Sequence, residues 1–307
     1  MPIGPVRAAT LTVTTDREAP KGAAMKFVRD VIGRLERMES LDRVAKPLAT
    51  AVGRAVRPRV LRNLLSGTYL GHPVHPALTD VPIGAWTMSA LLDNVGGRNA
   101  ERSADLLVAA GVLGAIPTAA SGLNDWSDTY GPDTRIGLVH ATANVTALSL
   151  YAASLAARAR GNRVGGKRLA QAGLGALLTG AYLGGHLTFT RGINVNRNAW
   201  TSGPPQWTPV LADAELPEAG HRTVHVDGVE IALFREDGRV WAINKTCSHM
   251  GGPLDEGDVV DGCVICPWHG STFRLDGGGV VRGPASAPQP SYDTRVFDDR
   301  IEIRAVE

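Results

Sequence analysis

Two short cysteine–histidine pairs near the C-terminus constrain this 307-residue chain more than any other feature. A C-x-H pair, Cys247 and His249, is followed by a C-x2-H pair, Cys266 and His269. Each pair offers one soft thiolate and one imidazole, and these residue types bind iron, zinc and other transition metals. The repetition predicts two similar loops that face each other across a metal centre.

The residues around the pairs narrow the choice of metal centre. The segment CSHMGGPLDEGDVVDGCVICPWHGSTF, residues 247–273, resembles the cluster-binding segment of Rieske ferredoxin-type domains, and the resemblance covers residues 207–307. It implies one 2Fe-2S cluster with the ligands Cys247, His249, Cys266 and His269. It also implies that Ser271 donates a hydrogen bond to a cluster sulfur, which raises the reduction potential.

Zinc is the competing metal, because Cys263 and Cys266 also form a C-x2-C pair with two histidines nearby. We expect Cys263 instead to be a small buried side chain. Rieske subunits of quinol-oxidising cytochrome complexes resemble this segment less, since Gly252 and Trp268 stand where they carry two loop-joining cysteines. Phe273 likewise replaces their usual tyrosine. We therefore expect a potential in the low part of the Rieske range of about −150 to +300 mV.

The flanking sequence predicts an all-β domain over residues 207–307. Stretches that alternate between polar and apolar residues, 223–226, 230–234 and 239–243, are separated by Asp-Gly pairs at 227–228 and 237–238. Asp-Gly between such stretches is a strong signal for a two-residue hairpin turn. The two loops therefore belong to a small antiparallel β domain.

Charge is nearly absent from four long runs of the preceding sequence. Residues 106–124, 136–157 and 169–190 contain no Asp, Glu, Lys or Arg, and residues 63–92 contain only Asp80. A helix needs about 20 residues to cross a hydrocarbon core of roughly 30 Å. The runs predict an all-α four-helix transmembrane bundle over residues 66–193. An Ala-rich soluble helical bundle is the alternative.

Three shorter segments complete the predicted domain organisation. Residues 1–22 are predicted to be a disordered tail without a cleavable signal peptide. Residues 194–206 are predicted to be a linker, because they contain Ser-Gly-Pro-Pro. Residues 23–65 carry apolar positions at helical spacing among many arginines. This amphipathic basic segment either lies on anionic lipid or forms a solvated helical hairpin.

The membrane half has a histidine motif of its own, GHPVHPALTDVPIGAW at residues 71–86. The first two prolines of the motif predict that His72 and His75 lie outside helical geometry. The topology of four spans places both at the same membrane face as His140 and His186, because the third span begins and the fourth ends at that face. These four histidines are a candidate cofactor site, with haem b, quinone and structural hydrogen bonding as the alternatives.

The same motif resembles a family of small bacterial four-helix membrane domains that are sometimes fused to Rieske domains. The resemblance spans residues 64–197 and implies no activity. Asp80, one turn inside the first span, is the better candidate for a proton relay to a quinone. Asp93 and Asp125 lie at span ends and are expected to be interfacial caps.

Together the two halves predict a membrane-anchored Rieske protein that passes single electrons between a redox partner and a membrane donor or acceptor. A non-enzymatic iron–sulfur redox sensor and the ferredoxin component of an oxygenase system are the alternatives. We expect no oxygenase catalytic domain on this chain. Membrane lipid and an unknown redox protein or quinone are the expected partners. The net charge of +2 and the lack of a Gly-rich phosphate loop argue against nucleic acid and nucleotide cofactors.

The distribution of basic residues predicts the sidedness. The loop at 158–168 holds five basic residues, which favours a cytoplasmic loop and an external cluster domain. Residues 26–62 hold ten, and their export without a signal would be difficult. We therefore expect a multi-pass protein of the cell membrane with its cluster domain in the cytoplasm.

Overall fold

The computed structural model describes residues 21–306, so the tail predicted for residues 1–22 lies almost entirely outside the described residues. The described helices are α1 (Lys21–Arg37), α2 (Asp42–Ala55), α3 (Arg59–Ser66), α4 (Val74–Val95), α5 (Glu101–Trp126), α6 (Pro132–Ala159) and α7 (Arg163–Gly185). A π-helical turn, His186–Thr190, extends α7. The region from α1 to α7 is helical, as predicted, but it contains seven α-helices where the sequence predicts a bundle of four.

The four predicted spans coincide with α4 to α7, and the three additional helices come from the basic segment before them. Helices α1 and α2 pack against α6, while α3 packs against α4 and α5. Arg135 of α6 fixes this arrangement, because it donates to the two carboxylate oxygens of Asp42 at 2.7 and 2.9 Å. It also donates to the Glu36 carbonyl at 2.6 Å. The basic segment is therefore packed onto the bundle.

The predicted geometry of the histidine motif is wrong for His75. This residue lies in the first turn of α4, which begins at Val74 directly after Pro73. Pro76 is tolerated in that turn because the first N–H groups of a helix have no intrahelical acceptor to lose. His72 precedes the helix, as predicted.

The four long helices form two hairpins, α4–α5 and α6–α7, with the same internal pattern. All six buried positions of α7 fall 62 residues after a buried position of α5. Trp86 and Ser89 of α4 recur 65 residues later as Tyr151 and Ser154 of α6, and all four are buried. The rings of Trp86 and Tyr151 stack on each other with centroids 4.1 Å apart. The bundle is therefore an approximate twofold repeat, whose axis runs along the helices.

Ion pairs between the two hairpins close one end of the bundle. Asp93 is buried and pairs with Arg158, and Arg163 donates to Asp105 at 2.7 Å. Two of the ion pairs join acidic residues of the first hairpin to basic residues at equivalent positions of the second, namely Asp93 with Arg158 and Glu101 with Arg163. Arg158 and Arg163, which belong to the basic loop at 158–168, are thus used in packing the repeat.

Apolar side chains cover much of the outside of the bundle. Two helices, Arg98–Trp126 and Pro132–Ala159, are long and apolar enough to cross a membrane, and only 22% of the apolar window of each is buried. The exposed apolar residues include Leu106, Leu113, Ile116, Val145 and Leu178. A core helix of a soluble protein would bury most of such a window, so this surface favours contact with lipid.

The C-terminal part is all-β, as predicted. Its strands are β1 (Thr208–Ala212), β2 (His221–Val226), β3 (Val229–Glu236), β4 (Arg239–Asn244), β5 (Asp258–Val260), β6 (Cys263–Ile265), β7 (Thr272–Arg274), β8 (Val280–Arg282), β9 (Ser291–Phe297) and β10 (Arg300–Ala305). They form a six-stranded antiparallel sheet in the order β1-β10-β9-β4-β3-β2 and a four-stranded sheet in the order β5-β6-β7-β8. Asp227 and Asp237 adopt a φ of 50° in the two predicted hairpin turns.

Candidate metal centre

The two cysteine–histidine pairs lie on two loops of the same construction, one after β4 and one between β6 and β7. In the first loop the Cys247 N–H donates to the carbonyl five residues later at 2.8 Å, and the Cys247 carbonyl accepts from Gly251 at 2.9 Å. Cys266 and Gly270 repeat this pattern in the second loop at 2.8 and 3.0 Å. Gly251 and Gly270 have φ of 82° and 71°, in the left-handed region that favours glycine.

These loops bring the four predicted ligands together at one end of the β domain. Cys247 and Cys266 are buried, and their side chains are hydrogen-bonded to each other. The rings of His249 and His269 are perpendicular, with centroids 5.1 Å apart. Nδ1 of His249 and Nε2 of His269 are buried without a hydrogen-bond partner. Because buried polar atoms nearly always have a partner, the two orphaned nitrogens fit imidazoles that bind a metal.

The protonation states of these side chains also suit metal binding. Burial lowers the pKa of His249 to about 3 and lowers the pKa of His269, so both imidazoles are neutral at pH 7. A hydrogen bond from the Cys247 thiol lowers the pKa of Cys266 to about 7. Thiolates and neutral imidazoles are the forms that bind metals.

The donor set fits a two-iron cluster better than a single ion. The two cysteine side chains are hydrogen-bonded to each other and the two imidazole rings lie against each other, so thiolates and imidazoles form separate pairs. A structural zinc ion takes four ligands at one point, whereas each iron of a Rieske cluster takes only two residues. Cys263, on which the zinc alternative depends, lies half-buried in β6.

A third loop, residues 283–289, covers the two cysteine–histidine loops and was not predicted. Ser248 Oγ donates to a carbonyl of this loop at 2.9 Å, and Gln289 Oε1 accepts from the Ser248 N–H at 3.0 Å. Ser271 is fully buried, and its Oγ accepts from the N–H of Ala285 at 3.0 Å. This bond leaves the hydroxyl proton of Ser271 available for the predicted bond to a cluster sulfur.

Gly252 and Trp268 lie against each other, as their place in the two loops implies. A Cβ on Gly252 would come 3.1 Å from Cγ of Trp268. The three cysteines are free, so no disulfide joins the loops. Phe273 is fully buried in the core behind the loops.

Side chains of the helical region, which no sequence motif predicts, complete the surroundings of the two histidines. Asp128, just after α5, places a carboxylate oxygen 3.9 Å from Nε2 of His249. Tyr130 stacks on the ring of His269 with centroids 5.3 Å apart. The only available signal was a polar stretch, Asn124 to Thr129, directly after an apolar run.

Asp128 is held by a buried ion pair. Arg62 of α3 donates to both carboxylate oxygens of Asp128, and its other terminal nitrogen donates to Asn124 Oδ1 at 2.9 Å. Burial raises the pKa of Asp128, and the nearby guanidinium of Arg62 opposes this effect. A charged pair is therefore buried next to the candidate metal centre.

Helix α3 and the segment after it also hold the third loop. Asn63 Oδ1 accepts from the N–H of Gly283 at 2.8 Å, and Asn63 Nδ2 donates to the Val281 carbonyl at 3.2 Å. Thr68 Oγ1 donates to the Ala285 carbonyl at 2.9 Å. The helical region and the β domain therefore meet through a polar contact at the cluster end.

The two histidines of the centre differ in exposure. His249 is 7% exposed and faces the helical region. A cavity of about 180 Å³ lies beside it and is lined by His72, Ser66 and Asn194 together with residues of the third loop. His269 is half-buried, and its neighbours Tyr130 and Trp268 are exposed.

The other three predicted histidines lie in two further settings. Nδ1 of His75 is 3.0 Å from the Thr118 carbonyl, and Nδ1 of His140 is 2.8 Å from the Gly180 carbonyl. Nε2 of His186 lies 3.8 Å from a carboxylate oxygen of Glu36. His75 and His140 therefore have the same kind of environment, which His72 and His186 do not share.

The three aspartates singled out in the sequence have different environments. Asp80 is exposed on α4. Asp93 belongs to the buried ion pairs that join the two hairpins. Asp125 accepts a hydrogen bond from Asn124 at 3.0 Å, near the candidate metal centre.

Comparison with known proteins gives two family matches. The Rieske 2Fe-2S domain model matches residues 206–293, and the model described as Predicted membrane protein (DUF2231) matches residues 71–197. The ferredoxin subunit of 3-phenylpropionate/cinnamic acid dioxygenase from Photorhabdus laumondii is 36% identical over 94 residues, which are 30% of this chain and 89% of that protein.

Further relatives match a similar share of the chain. The ferredoxin subunit of anthranilate 1,2-dioxygenase from Burkholderia cepacia is 32% identical over 98 residues, 32% of this chain and 91% of that protein. The solved ferredoxin of carbazole 1,9a-dioxygenase from Nocardioides aromaticivorans IC177 is 26% identical, with a TM-score of 0.32, and covers 33% of this chain and 99% of its own.

Proposed function

The chain joins a predicted membrane protein domain to a C-terminal Rieske 2Fe-2S domain, and from this premise we propose that it is a membrane-anchored carrier of single electrons. The observation that carries this proposal is the convergence of two cysteines and two histidines on facing loops, with two orphaned ring nitrogens. Cys247 and Cys266 would bind one iron, and His249 and His269 the other. The bound cluster supplies reversible one-electron chemistry.

Neighbouring side chains would set the reduction potential. A hydrogen bond from Ser271 to a cluster sulfur stabilises the reduced, more negative state. The buried carboxylate of Asp128, close to His249, favours the oxidised state, and Arg62 offsets part of this effect. Phe273 offers no second hydroxyl donor. These contributions support a potential in the low part of the Rieske range.

Membrane attachment through several spans of the bundle is the second part of the proposal. It is supported by the family match over residues 71–197 and by the two apolar helices whose windows are mostly exposed. The ion pairs at one end and the β domain at the other leave an apolar band between them. The β domain is proposed to lie on the cytoplasmic side, together with the basic helices α1 to α3. Protease treatment of spheroplasts should therefore spare a C-terminal tag.

The exposed side of the centre suits an external protein partner. The relatives include ferredoxin subunits of dioxygenases, so delivery of electrons to an oxygenase is the alternative to a membrane acceptor. Such a partner would approach His269, where Tyr130 and Trp268 are 64% and 53% exposed. On the buried side, the cavity between His72 and His249 favours a quinone as the membrane donor or acceptor.

The cluster is tested with the full chain purified in detergent and reduced with dithionite. We expect a Rieske EPR signal in the wild type and in Cys263→Ser. Cys266→Ser should abolish it, because one iron loses a thiolate. If the purified chain binds zinc, and if Cys263→Ser loses that zinc, the result would contradict the proposal and support the zinc alternative.

A further inference from the structure

The twofold repeat of the helical region places two histidines at equivalent positions. His75 precedes Trp86 by 11 residues in α4, and His140 precedes Tyr151 by 11 residues in α6. We propose that His75 and His140 are the two axial ligands of a haem bound inside the bundle. The inference rests on the proposed electron-carrier function for its role, although the haem site itself does not depend on the iron–sulfur cluster.

The surroundings of the two imidazoles repeat as closely as their positions. Nδ1 of His75 contacts the carbonyl of Thr118, and Nδ1 of His140 contacts the carbonyl of Gly180, which lies 62 residues later. Four residues beyond each carbonyl is a glycine that the imidazole packs against. A Cβ on Gly122 would come 2.7 Å from His75, and one on Gly184 would come 3.0 Å from His140.

These contacts assign the tautomer of both histidines. A backbone carbonyl can only accept a hydrogen bond, so each Nδ1 carries the proton and each Nε2 keeps a free lone pair. In this structure the side-chain amide of Asn144 lies 3.1 Å from Nε2 of His140 and can donate to that lone pair, so iron would have to replace it, and the amide would keep its bond to the His140 carbonyl at 3.0 Å. An Nδ1–H bonded to a backbone carbonyl is the arrangement that orients histidines whose Nε2 binds a metal.

At the level of these histidines, the centre of the bundle is occupied by other side chains than at its opposite end. Three turns further along, Trp86 and Tyr151 stack across the centre, and beyond them Asp93 pairs with Arg158. The imidazoles are smaller, and each is turned towards the carbonyl of its own hairpin. Both histidines lie at the same level on the two diagonal helices α4 and α6, and the proposed haem would lie between these helices.

The ligand count selects haem over a single metal ion. Among the residues that the structure describes, no third His, Cys, Asp or Glu joins this pair. Zinc or non-haem iron needs at least three protein ligands, whereas a porphyrin provides four nitrogens and leaves two axial positions for imidazoles. His72 and His186 have no equivalent role, because His72 lies at the domain contact and His186 beside Glu36.

The proposed haem site is connected to the candidate iron–sulfur centre through one helix. Ser121, 3.2 Å from Nδ1 of His75, lies on α5 one turn before Asn124. Asn124 is bonded to Arg62, which pairs with Asp128 beside His249. Residues 121 and 128 are about 10 Å apart along a helix. The two centres would therefore lie near each other at the contact between the domains.

The test uses the full chain in detergent, titrated with hemin and followed by optical spectroscopy and EPR. We expect one haem per wild-type chain, with the Soret and α bands of a six-coordinate bis-histidine haem. His75→Ala and His140→Ala should each lose these bands. His72→Ala and His186→Ala are the matched controls and should keep them, and the Rieske EPR signal should be present in all four variants.

Three results would overturn the inference. A wild-type chain with the Rieske signal but without haem would refute the haem site and leave the electron-carrier proposal intact. Retention of the bands in both His75→Ala and His140→Ala, or their loss in the controls, would refute the ligand assignment. If His140→Ala also disturbs the fold, His140→Gly with added imidazole decides the matter, since free imidazole should restore the Soret band only at a ligand position.

Discussion

The two candidate redox sites of this chain differ in how their ligands are brought together. At the Rieske loops, each cysteine is two or three residues from its histidine, and the two loops have the same hydrogen-bond pattern. In the helical bundle, His75 and His140 lie on separate helices and occupy equivalent positions only because two hairpins pack as a repeat. A site built on short loops can be recognised from its motif, whereas a site built on a repeat requires knowledge of the packing.

The sites also depend differently on the contact between the domains. The cluster loops belong wholly to the β domain, but His249 is covered by residues of the helical region. Changes at the contact between the two regions should therefore have effects that changes within either region alone do not have.

The largest effect is expected from Arg62→Leu at the contact itself. This change leaves the buried carboxylate of Asp128 without its counter-charge, and breaking such a pair costs about 3–5 kcal/mol. The docked arrangement should loosen, so limited proteolysis between residues 194 and 206 should be much faster than in the wild type. Arg54→Leu removes an exposed arginine of α2, away from this contact, and should leave the rate unchanged. Equal rates for Arg62→Leu and wild type would show that the pair does not hold the domains together.

Within the β domain, Ser271→Ala should lower the reduction potential of the cluster. Loss of a hydrogen bond worth about 1.4 kcal/mol to the reduced state corresponds to about 59 mV for one electron. A redox titration followed by EPR measures this shift. Ser286→Ala, in the nearby third loop, is the control. An unchanged potential in Ser271→Ala would mean that this hydroxyl does not contact the cluster.

In the helical region, Asp42→Asn should destabilise the fold in a pH-dependent way. Hydrogen bonds from Arg135 and Lys46 hold the pKa of Asp42 well below its usual value of 3.8. A lowered folded-state pKa contributes stability above the ordinary pKa, and this contribution is lost as the pH falls through the folded-state value. The Tm difference between wild type and Asp42→Asn should therefore be present at neutral pH and shrink below about pH 4. A difference that grows in acid would contradict this assignment.

The smallest effect is expected from Tyr151→Phe. The hydroxyl of Tyr151 is buried without a hydrogen-bond partner, so its removal relieves a cost of about 1–3 kcal/mol while the stack with Trp86 is kept. The Tm should stay the same or rise. A clear drop would show that the hydroxyl has a partner, such as a bound water or cofactor.

The sequence was sufficient to predict the β domain, because the signals that indicate this domain are local. Alternating residues, Asp-Gly turns and the ligand pairs each predict a feature within a few residues, and the strands, hairpins and facing loops agree with them. The sequence was not sufficient to predict the roles of Arg62 and Asp128. These residues lie more than a hundred residues before the loops that they cover. Nothing local in their segments indicates a distant imidazole.

The repeat of the helical region was also missed, for a physical reason. Equivalent buried positions need to fit their local packing and need not keep the residue type, so Thr118 corresponds to Gly180 and Ser121 to Leu183. The ion pairs between hairpins even require opposite charges at equivalent positions. Sequence identity between the halves is therefore low, although Gly111 and Gly122 recur as Gly173 and Gly184.

The most direct test of the central claim is an EPR spectrum of reduced membranes from cells that express the full chain, after a wash with alkaline carbonate. A membrane-anchored electron carrier predicts that the Rieske signal stays in the washed membranes and disappears with Cys266→Ser. Release of the signal into the wash would contradict membrane anchoring, and a complete lack of signal in membranes that contain the chain would contradict the cluster itself.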